Sequence, residues 1–205
     1  MPRILTDEEI ASFRARLCHA AEGLLAEGGR EALSMRAVAA RLGVSPMTPY
    51  RYFESKQALV TALQVRAFER LAKALETADS ASARGASNAV GEAYVVFASE
   101  QASAYRLMFE LPASDQLSDP ALASAVDRAR ASMLRNAERA VGGFRTPSDA
   151  QLAGVLFWAM LHGMLALEIT SKPLQAIDSE RLRAAAGRAL ATICRGLAHS
   201  QPKSC

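Results

Sequence analysis

The segment from Leu33 to Lys56 carries the pattern that most restricts how this chain can fold. Ser34 can cap a helix with its hydroxyl, and Gly43 stands where a helix end needs a left-handed residue. Ser45 and Pro46 then suit the cap and the first position of a second helix. Two helices joined by about three residues, with glycine in the turn, indicate a helix-turn-helix. That motif places its second helix in the major groove of DNA.

The side chains and charges of this segment suit the same interpretation. The second helix offers hydroxyls, aromatic edges and a guanidinium, which are the groups that contact phosphates and base edges. From Ser34 to Lys56 four basic residues stand against one acidic residue, so 4 − 1 = +3, which equals the formal net charge of the whole chain; the residues are Arg36, Arg41, Arg51 and Lys56 against Glu54. The alternative interpretation is an ordinary helical hairpin with surface arginines.

Residues 7–65 resemble the DNA-binding region of TetR-type transcriptional regulators. The matching pieces are Glu27-Gly28-Gly29, Leu33-Ser34-Met35-Arg36, Ala39-x-x-Leu42-Gly43-Val44-Ser45, Thr48-x-Tyr50-x-Tyr52-Phe53, Ser55-Lys56 and Ala58-Leu59. The resemblance implies an all-helical dimer that binds a palindromic operator. It also implies that a small molecule entering the C-terminal domain releases the DNA.

Pro49 departs from the pattern of the family, which usually has Leu or Val at this position. Proline lacks an N–H and costs about 3 kcal/mol inside a helix. Because Pro49 falls near the first turn, where amides are mostly free anyway, we expect a short helix with a 3₁₀-like start.

Ten residues are predicted to contact DNA. Arg36 and Thr48 are expected at base edges with Pro46 and Met47 nearby, and hydroxyls and cations are expected at phosphates. The full set is Ser34, Arg36, Ser45, Pro46, Met47, Thr48, Tyr50, Arg51, Tyr52 and Lys56.

Composition indicates an all-α chain. Half of the 205 residues are hydrophobic, Gly and Pro are sparse, and no strand-like alternation appears, so about nine helices are predicted. Cys18, Cys194 and Cys205 show neither metal-ligand spacing nor a disulfide framework. Charges run through the first residues and the apolar run Leu152–Leu167 is short for a membrane span. The expected location is therefore the cytoplasm.

Four segments are predicted along the chain. Residues 1–54 form the helix-turn-helix domain and residues 55–78 a long connecting helix. A polar stretch near residue 79 begins a C-terminal domain for effector binding and dimerisation that extends to residue 200, and residues 201–205 form a disordered tail.

The last two predicted helices, at about 151–170 and 179–199, suggest a homodimer interface. The first is apolar nearly all round and contains small residues that permit close helix approach. A purely intramolecular core helix is the alternative. A two-fold dimer would carry two recognition helices for two half-sites.

A small-molecule effector site is predicted in the C-terminal domain. Trp158-x-x-x-His162-Gly163 resembles a motif of one branch of the family. His162 could bond an effector or titrate, although a satisfied core histidine is the commoner role. Large apolar side chains line ligand sites but also fill ordinary cores. The candidate walls are Tyr94, Phe97, Tyr105, Met108, Phe109, Met133, Phe157, Trp158 and His162, with an apolar or aromatic effector expected.

The sequence predicts neither catalysis nor a cofactor or metal. Its three histidines form no metal pattern, and no nucleophile elbow or phosphate-binding glycine loop is present. The sequence therefore indicates a ligand-responsive repressor. Two alternatives remain open. The first is a helical small-molecule carrier or interaction protein with a non-functional helix-turn-helix. The second is an activator or a non-ligand regulator that works with a protein partner.

Overall fold

The structure is a computed structural model that describes residues 6–82, 89–109, 119–141 and 146–170, with single helical positions between 181 and 196. The described residues contain seven α-helices, one 3₁₀ turn and no strand, so the predicted all-α class is confirmed. The helix count differs slightly from the predicted nine, and most of the predicted ninth helix lies outside the described residues. The helices are α1 (Asp7–Ala32), α2 (Met35–Arg41), α3 (Lys56–Ser82), α4 (Ala89–Glu100), α5 (Ala102–Met108), α6 (Pro120–Val141) and α7 (Pro147–Thr170).

Thr6 and Glu9 predict a capping box at the start of helix α1. The Glu9 amide donates to the Thr6 hydroxyl over 3.2 Å, while the Thr6 amide donates to the Glu9 carboxylate over 2.9 Å, which is a complete capping box. The helix was expected to end at Gly28 and Gly29. It continues to Ala32, but Gly29 interrupts it with a φ of 63°, a conformation that glycine adopts without strain.

Helix α2 and the turn after it also follow the sequence signals. The Ala37 amide donates to the Ser34 hydroxyl over 3.1 Å. Gly43 has a φ of 66°, and its amide donates to the Ala40 carbonyl over 3.1 Å. The Val44 amide donates back to the Ala39 carbonyl over 3.0 Å. These two bonds form a Schellman motif, which closes the helix and turns the chain.

The second element of the motif differs from the predicted short helix. Residues 46–48 form turns, and only Pro49–Arg51 is helical, as one 3₁₀ turn. Pro49 has no N–H to donate to the Ser45 carbonyl, as an α-helix would require. That carbonyl instead accepts from the Thr48 amide over 2.8 Å. The element is therefore a series of turns with one 3₁₀ turn, and one α-type bond closes it, from the Phe53 amide to the Pro49 carbonyl over 3.0 Å.

The chain forms two compact units. The first, here called the head, comprises Met1–Ala67 and Ser103–Leu122, and the second comprises Phe68–Ala102 and Ala123–Cys205. The head has one apolar core built from α1, α2, the first half of α3 and α5; it contains Leu17, Cys18, Ala20, Ala21, Leu25, Leu33, Met35, Val38, Phe53, Leu59, Val60, Leu63 and Leu107.

The second unit has a core of its own from the described parts of α3, α4, α6 and α7. Its fully buried large side chains are Leu71, Leu75, Tyr94, Phe157, Leu161 and Leu165. The predicted boundaries at residues 54 and 78 stay predictions, although helix α3 runs without a break from Lys56 to Ser82. No described helix meets the length and hydropathy needed to cross a membrane.

Candidate nucleic-acid interface

Helix α2 presents one polar edge because its other side is anchored in the head core. Met35, Val38 and Ala39 are buried, and this fixes the helix so that Arg36 is exposed. Ser34 is exposed at the start of the helix, where its hydroxyl already accepts from the Ala37 amide. Ser34 therefore supports the edge as its cap, and Arg36 supplies its cation.

The recognition segment, residues 45–52, places its largest apolar side chains in solvent. Pro49 is buried, and it orients the residues on either side of it outward. Met47 is 67% exposed and Tyr50 is 47% exposed; Arg51 is also exposed, and Thr48 is half-buried. An exposed methionine beside a tyrosine and an arginine offers apolar, hydroxyl and cationic groups, as major-groove readout requires.

The end of the recognition segment is fastened to α1. The rings of Phe13 and Tyr52 stack with centroids 4.6 Å apart. The Arg14 guanidinium donates to the Tyr52 carbonyl over 2.5 Å and lies 4.3 Å above the centroid of the Phe53 ring. The spacing of apolar residues in α1 does not predict these contacts of Arg14, because it does not show which residue will meet the recognition segment.

One cation of the motif is neutralised within the head. Arg41 forms an ion pair with Glu27 of α1, and a Cβ added at Gly23 would lie 3.1 Å from the Arg41 guanidinium. Counting charges between residues 34 and 56 missed this pair because Glu27 lies outside that window. Arg36, Arg51 and Lys56 are the remaining exposed cations of the motif.

Lys56 stands at the start of α3. The Ser55 hydroxyl caps the helix by accepting from the Ala58 amide over 3.0 Å, and Lys56 is exposed in the first turn. A helix N-terminus attracts anions through its free amides and its dipole. A lysine at that position suits a phosphate contact.

Helix α5 belongs to the head through a buried polar contact. Gln64 of α3 is fully buried, and its side-chain amide donates to the Leu107 carbonyl over 2.8 Å. The Gln64 Oε1 atom is buried with no hydrogen-bond partner. The sequence analysis did not single out Gln64, which looks like an ordinary polar residue of a helix.

Six predicted effector residues lie in the second unit. The Trp158 indole donates to the Tyr94 hydroxyl over 3.0 Å, which joins α7 to α4. Burial lowers the pKa of His162 from its ordinary value. Tyr94, Phe97, Met133 and Phe157 are at most 4% exposed. These four side chains are core residues in this structure, and Trp158 and His162 are half-buried.

The other three predicted effector residues lie in the head. Tyr105, Met108 and Phe109 belong to or follow α5. The rings of Tyr105 and Phe109 meet edge to face with centroids 5.2 Å apart. The predicted set is thus divided between the two units.

A groove of about 430 Å³ lies between α6 and α7, and none of the predicted effector residues lines it. The two helices approach closely there, since a Cβ added at Gly154 would stand 3.4 Å from the Leu134 backbone. The groove is lined by Asp127, Arg130, Ala131, Leu134, Gln151, Gly154 and Val155.

Beside the groove, α7 carries an exposed apolar stripe. Leu152, Val155 and Leu156 are 46%, 47% and 41% exposed, although large apolar residues are usually buried. The spacing of three and four residues puts them on one face of the helix. Among the described residues, no group of three or more His, Cys, Asp or Glu could hold a metal ion.

Comparison with known proteins identifies the family. Residues 17–63 match the family described as bacterial regulatory proteins, tetR family, and residues 87–193 match the Tetracyclin repressor-like C-terminal domain. The chain belongs to the TetR family. The HTH-type transcriptional repressor KstR from Rhodococcus jostii is 47% identical over 58 residues, which cover 28% of this chain and 27% of KstR. The match therefore spans only about a quarter of that relative's length.

Solved structures resemble the chain over nearly its whole length. A protein of unknown function from Rhodococcus sp. RHA1 is 28% identical with a TM-score of 0.73, and the match covers 97% of this chain and 100% of that one. The TetR family regulator PfmR from Thermus thermophilus is 27% identical with a TM-score of 0.58, and the match covers 88% and 97% of the two chains. The TetR fold thus extends beyond the head.

Proposed function

We propose that this TetR-family chain is a transcriptional repressor that binds a palindromic operator as a homodimer and leaves it when a small apolar or aromatic effector binds. The main support for this proposal is the Schellman turn at Gly43, which is followed by a recognition segment with Met47 and Tyr50 exposed to solvent. Met47 and Tyr50 have no place in the head core, so contact with DNA accounts for their exposure. The protein is taken to act in the cytoplasm and without catalysis, as a DNA-binding regulator.

Most of the proposed contacts are exposed side chains of the motif, and Thr48 and Tyr52 are half-buried. Arg36 and Thr48 meet base edges, with Pro46 and Met47 beside them. Phosphates are held by the hydroxyl and cationic side chains around them, namely Ser34, Ser45, Tyr50, Arg51, Tyr52 and Lys56. Because the Tyr52 ring is stacked on Phe13, only the Tyr52 hydroxyl is proposed to contact a phosphate.

The proposed dimer uses the stripe Leu152, Val155 and Leu156 together with the segment 179–199. Support comes from the exposure of these three side chains, since burying a large apolar side chain contributes about 1.5–3 kcal/mol. A second copy related by a two-fold axis would meet the same stripe and bury both. The dimer would present two recognition segments to successive major grooves.

The proposed effector site is in the second unit, near Trp158, His162 and Tyr94. Support comes from the hydrogen bond between Trp158 and Tyr94, which provides polar atoms in an otherwise apolar region. An effector releases DNA only through a difference in its affinity for the DNA-binding and non-binding populations.

Footprinting of the full chain on the DNA upstream of its own gene, with competitor DNA present, tests the proposal. A protected palindrome with half-sites about one or more helical turns apart supports dimeric operator binding. If no site is protected, selection from random sequence follows. Failure to enrich any sequence there would contradict the proposal and favour the carrier with a non-functional helix-turn-helix. DNA binding that no small molecule relieves would favour an activator or a non-ligand regulator that works with a protein partner.

A further inference from the structure

The recognition segment has little structure of its own to hold it. Its only helical part is the three-residue turn Pro49–Arg51, and Pro49 cannot donate the bond that would start an α-helix. A single 3₁₀ turn has poorer hydrogen-bond geometry than an α-helix and is not stable alone. Its orientation must therefore be set by contacts from outside the segment.

Arg14 of α1 provides such a contact with both parts of its guanidinium. In the plane, Nη1 donates to the Tyr52 carbonyl over 2.5 Å. On its face, the group lies 4.3 Å from the centroid of the Phe53 ring, which is 2% exposed in the head core. A planar guanidinium can donate in its plane and stack its charged face on a ring at the same time, which the compact ammonium of lysine cannot do.

Phe13, the neighbour of Arg14, holds the same end of the segment. Its ring stacks on Tyr52 with an interplanar angle of 26°. The two consecutive α1 residues thus contact the Tyr52 ring, the Tyr52 carbonyl and the Phe53 ring. This fixes the segment's exit relative to α1, while the Schellman turn fixes its entry from α2.

We infer that Arg14 is a positioning residue for sequence-specific DNA recognition: it ties the end of the recognition segment to α1 and so holds Met47, Thr48 and Tyr50 in register with the bases. The inference rests on the proposed function. Arg14 then contributes to the choice of DNA sequence, whereas an exposed arginine of a DNA-binding head would ordinarily be expected to contact a phosphate.

The test compares Arg14→Gln, Arg14→Lys and wild type on the footprinted operator and on random DNA of equal length, at several salt concentrations. Both variants should lose about tenfold in operator affinity, because Gln is shorter and has no charge for the ring of Phe53, and the Lys ammonium is not planar. Affinity for random DNA should stay within about twofold, and the salt slope should not change. Lys56→Ala serves as the phosphate control, with a slope lower by about one.

A second arm measures coupling with the proline. Pro49→Leu restores an N–H that can donate to the Ser45 carbonyl, so the segment should depend less on Arg14. In the Pro49→Leu background, Arg14→Gln should then lower operator affinity by less than about threefold. In the wild-type background the same substitution should lower it by about tenfold. Thermal unfolding of each variant checks that the head remains folded.

The outcomes separate the two proposals. If the wild-type chain enriches no DNA sequence, the proposed function fails. A second set of results would overturn the inference. Here wild type binds its operator and Arg14→Lys behaves as wild type, while Arg14→Gln weakens binding to operator and random DNA equally and lowers the salt slope by about one. Arg14 would then be a phosphate contact. Full additivity of Arg14→Gln and Pro49→Leu, where the latter still binds, would also contradict it.

Discussion

The Gln64 side-chain amide on α3 donates a 2.8 Å hydrogen bond to the carbonyl of Leu107, which lies 43 positions further along the chain. Leu107 is part of the head core. The bond satisfies a carbonyl near the end of α5, where helical partners run out. The contact thus joins two segments of the head that are distant in sequence.

Gln64→Glu should destabilise the head in a pH-dependent way. The carboxylate would be fully buried at a site that holds a neutral amide, and an uncompensated buried charge costs about 3–5 kcal/mol. Burial raises the pKa of such a carboxyl, so stability should be highest below the unfolded pKa of about 4.3 and fall as pH rises through the folded value. Urea unfolding between pH 5 and 8 measures this, with Gln64→Leu as the uncharged control. A Gln64→Glu chain equally destabilised at both pH values would contradict the prediction.

Asp79→Asn should destabilise the second unit more than the loss of an exposed pair. Asp79 is 7% exposed and accepts from Arg135 over 2.6 Å and also from Arg139. Because the arginines are partly exposed, we expect a loss of about 2 kcal/mol in unfolding free energy, between the values for surface and buried pairs. Asp127→Asn, which breaks an exposed pair with Arg130, is the matched control and should cost less than about 0.5 kcal/mol. Equal losses would show that burial of Asp79 does not matter.

His162 should make stability fall in mild acid. Burial lowers the pKa of His162 below its ordinary value of 6.5, so the unfolded chain takes up the proton at a higher pH than the folded chain. The unfolding free energy should be unaffected by this group above about pH 6.5 and fall as pH drops through that value, until folded His162 is protonated too. Chemical unfolding of wild type and His162→Gln at matched pH isolates the effect as a difference. If the difference in unfolding free energy between wild type and His162→Gln is constant between pH 5 and 8, His162 does not cause the loss of stability in acid.

Tyr50→Phe combined with Lys56→Ala should weaken operator binding and flatten its salt dependence. Both side chains are exposed in the head, and each neutralised phosphate contributes about 0.9 to the slope of log affinity against log salt. Fluorescence anisotropy on the footprinted operator at four salt concentrations measures the slope. Tyr50→Phe alone should leave the slope unchanged because it removes no charge. An unchanged affinity of the double variant at all four concentrations would exclude both residues from the interface.

Local signals in the sequence predicted the caps and the turn. Thr6, Ser34 and Gly43 act on backbone groups only a few residues away, so their positions in the sequence indicate the capping box, the N-cap and the Schellman turn. Pro49 departs from the family pattern and predicts an altered recognition helix. The extent of the 3₁₀ turn, however, depends on which backbone carbonyls find other donors, and the sequence does not show this.

Contacts between distant segments could not be predicted. Arg14, Glu27 and Gln64 find partners 38, 14 and 43 residues away, and no spacing in one helix indicates such partners. The predicted effector residues are mostly large apolar and aromatic side chains, and these side chains occur in protein cores as well as in ligand sites. Their division between the two units follows from how α5 packs.

The place of Leu107 in the head core has a consequence for synthesis. Leu59 and Leu63 leave the ribosome well before Leu107, although all three are buried in the same core. A nascent chain that ends before α5 therefore exposes part of that core, since domains complete their packing only when all their segments are available. The core of the head is therefore complete only after translation has passed Leu107, about half-way along the chain.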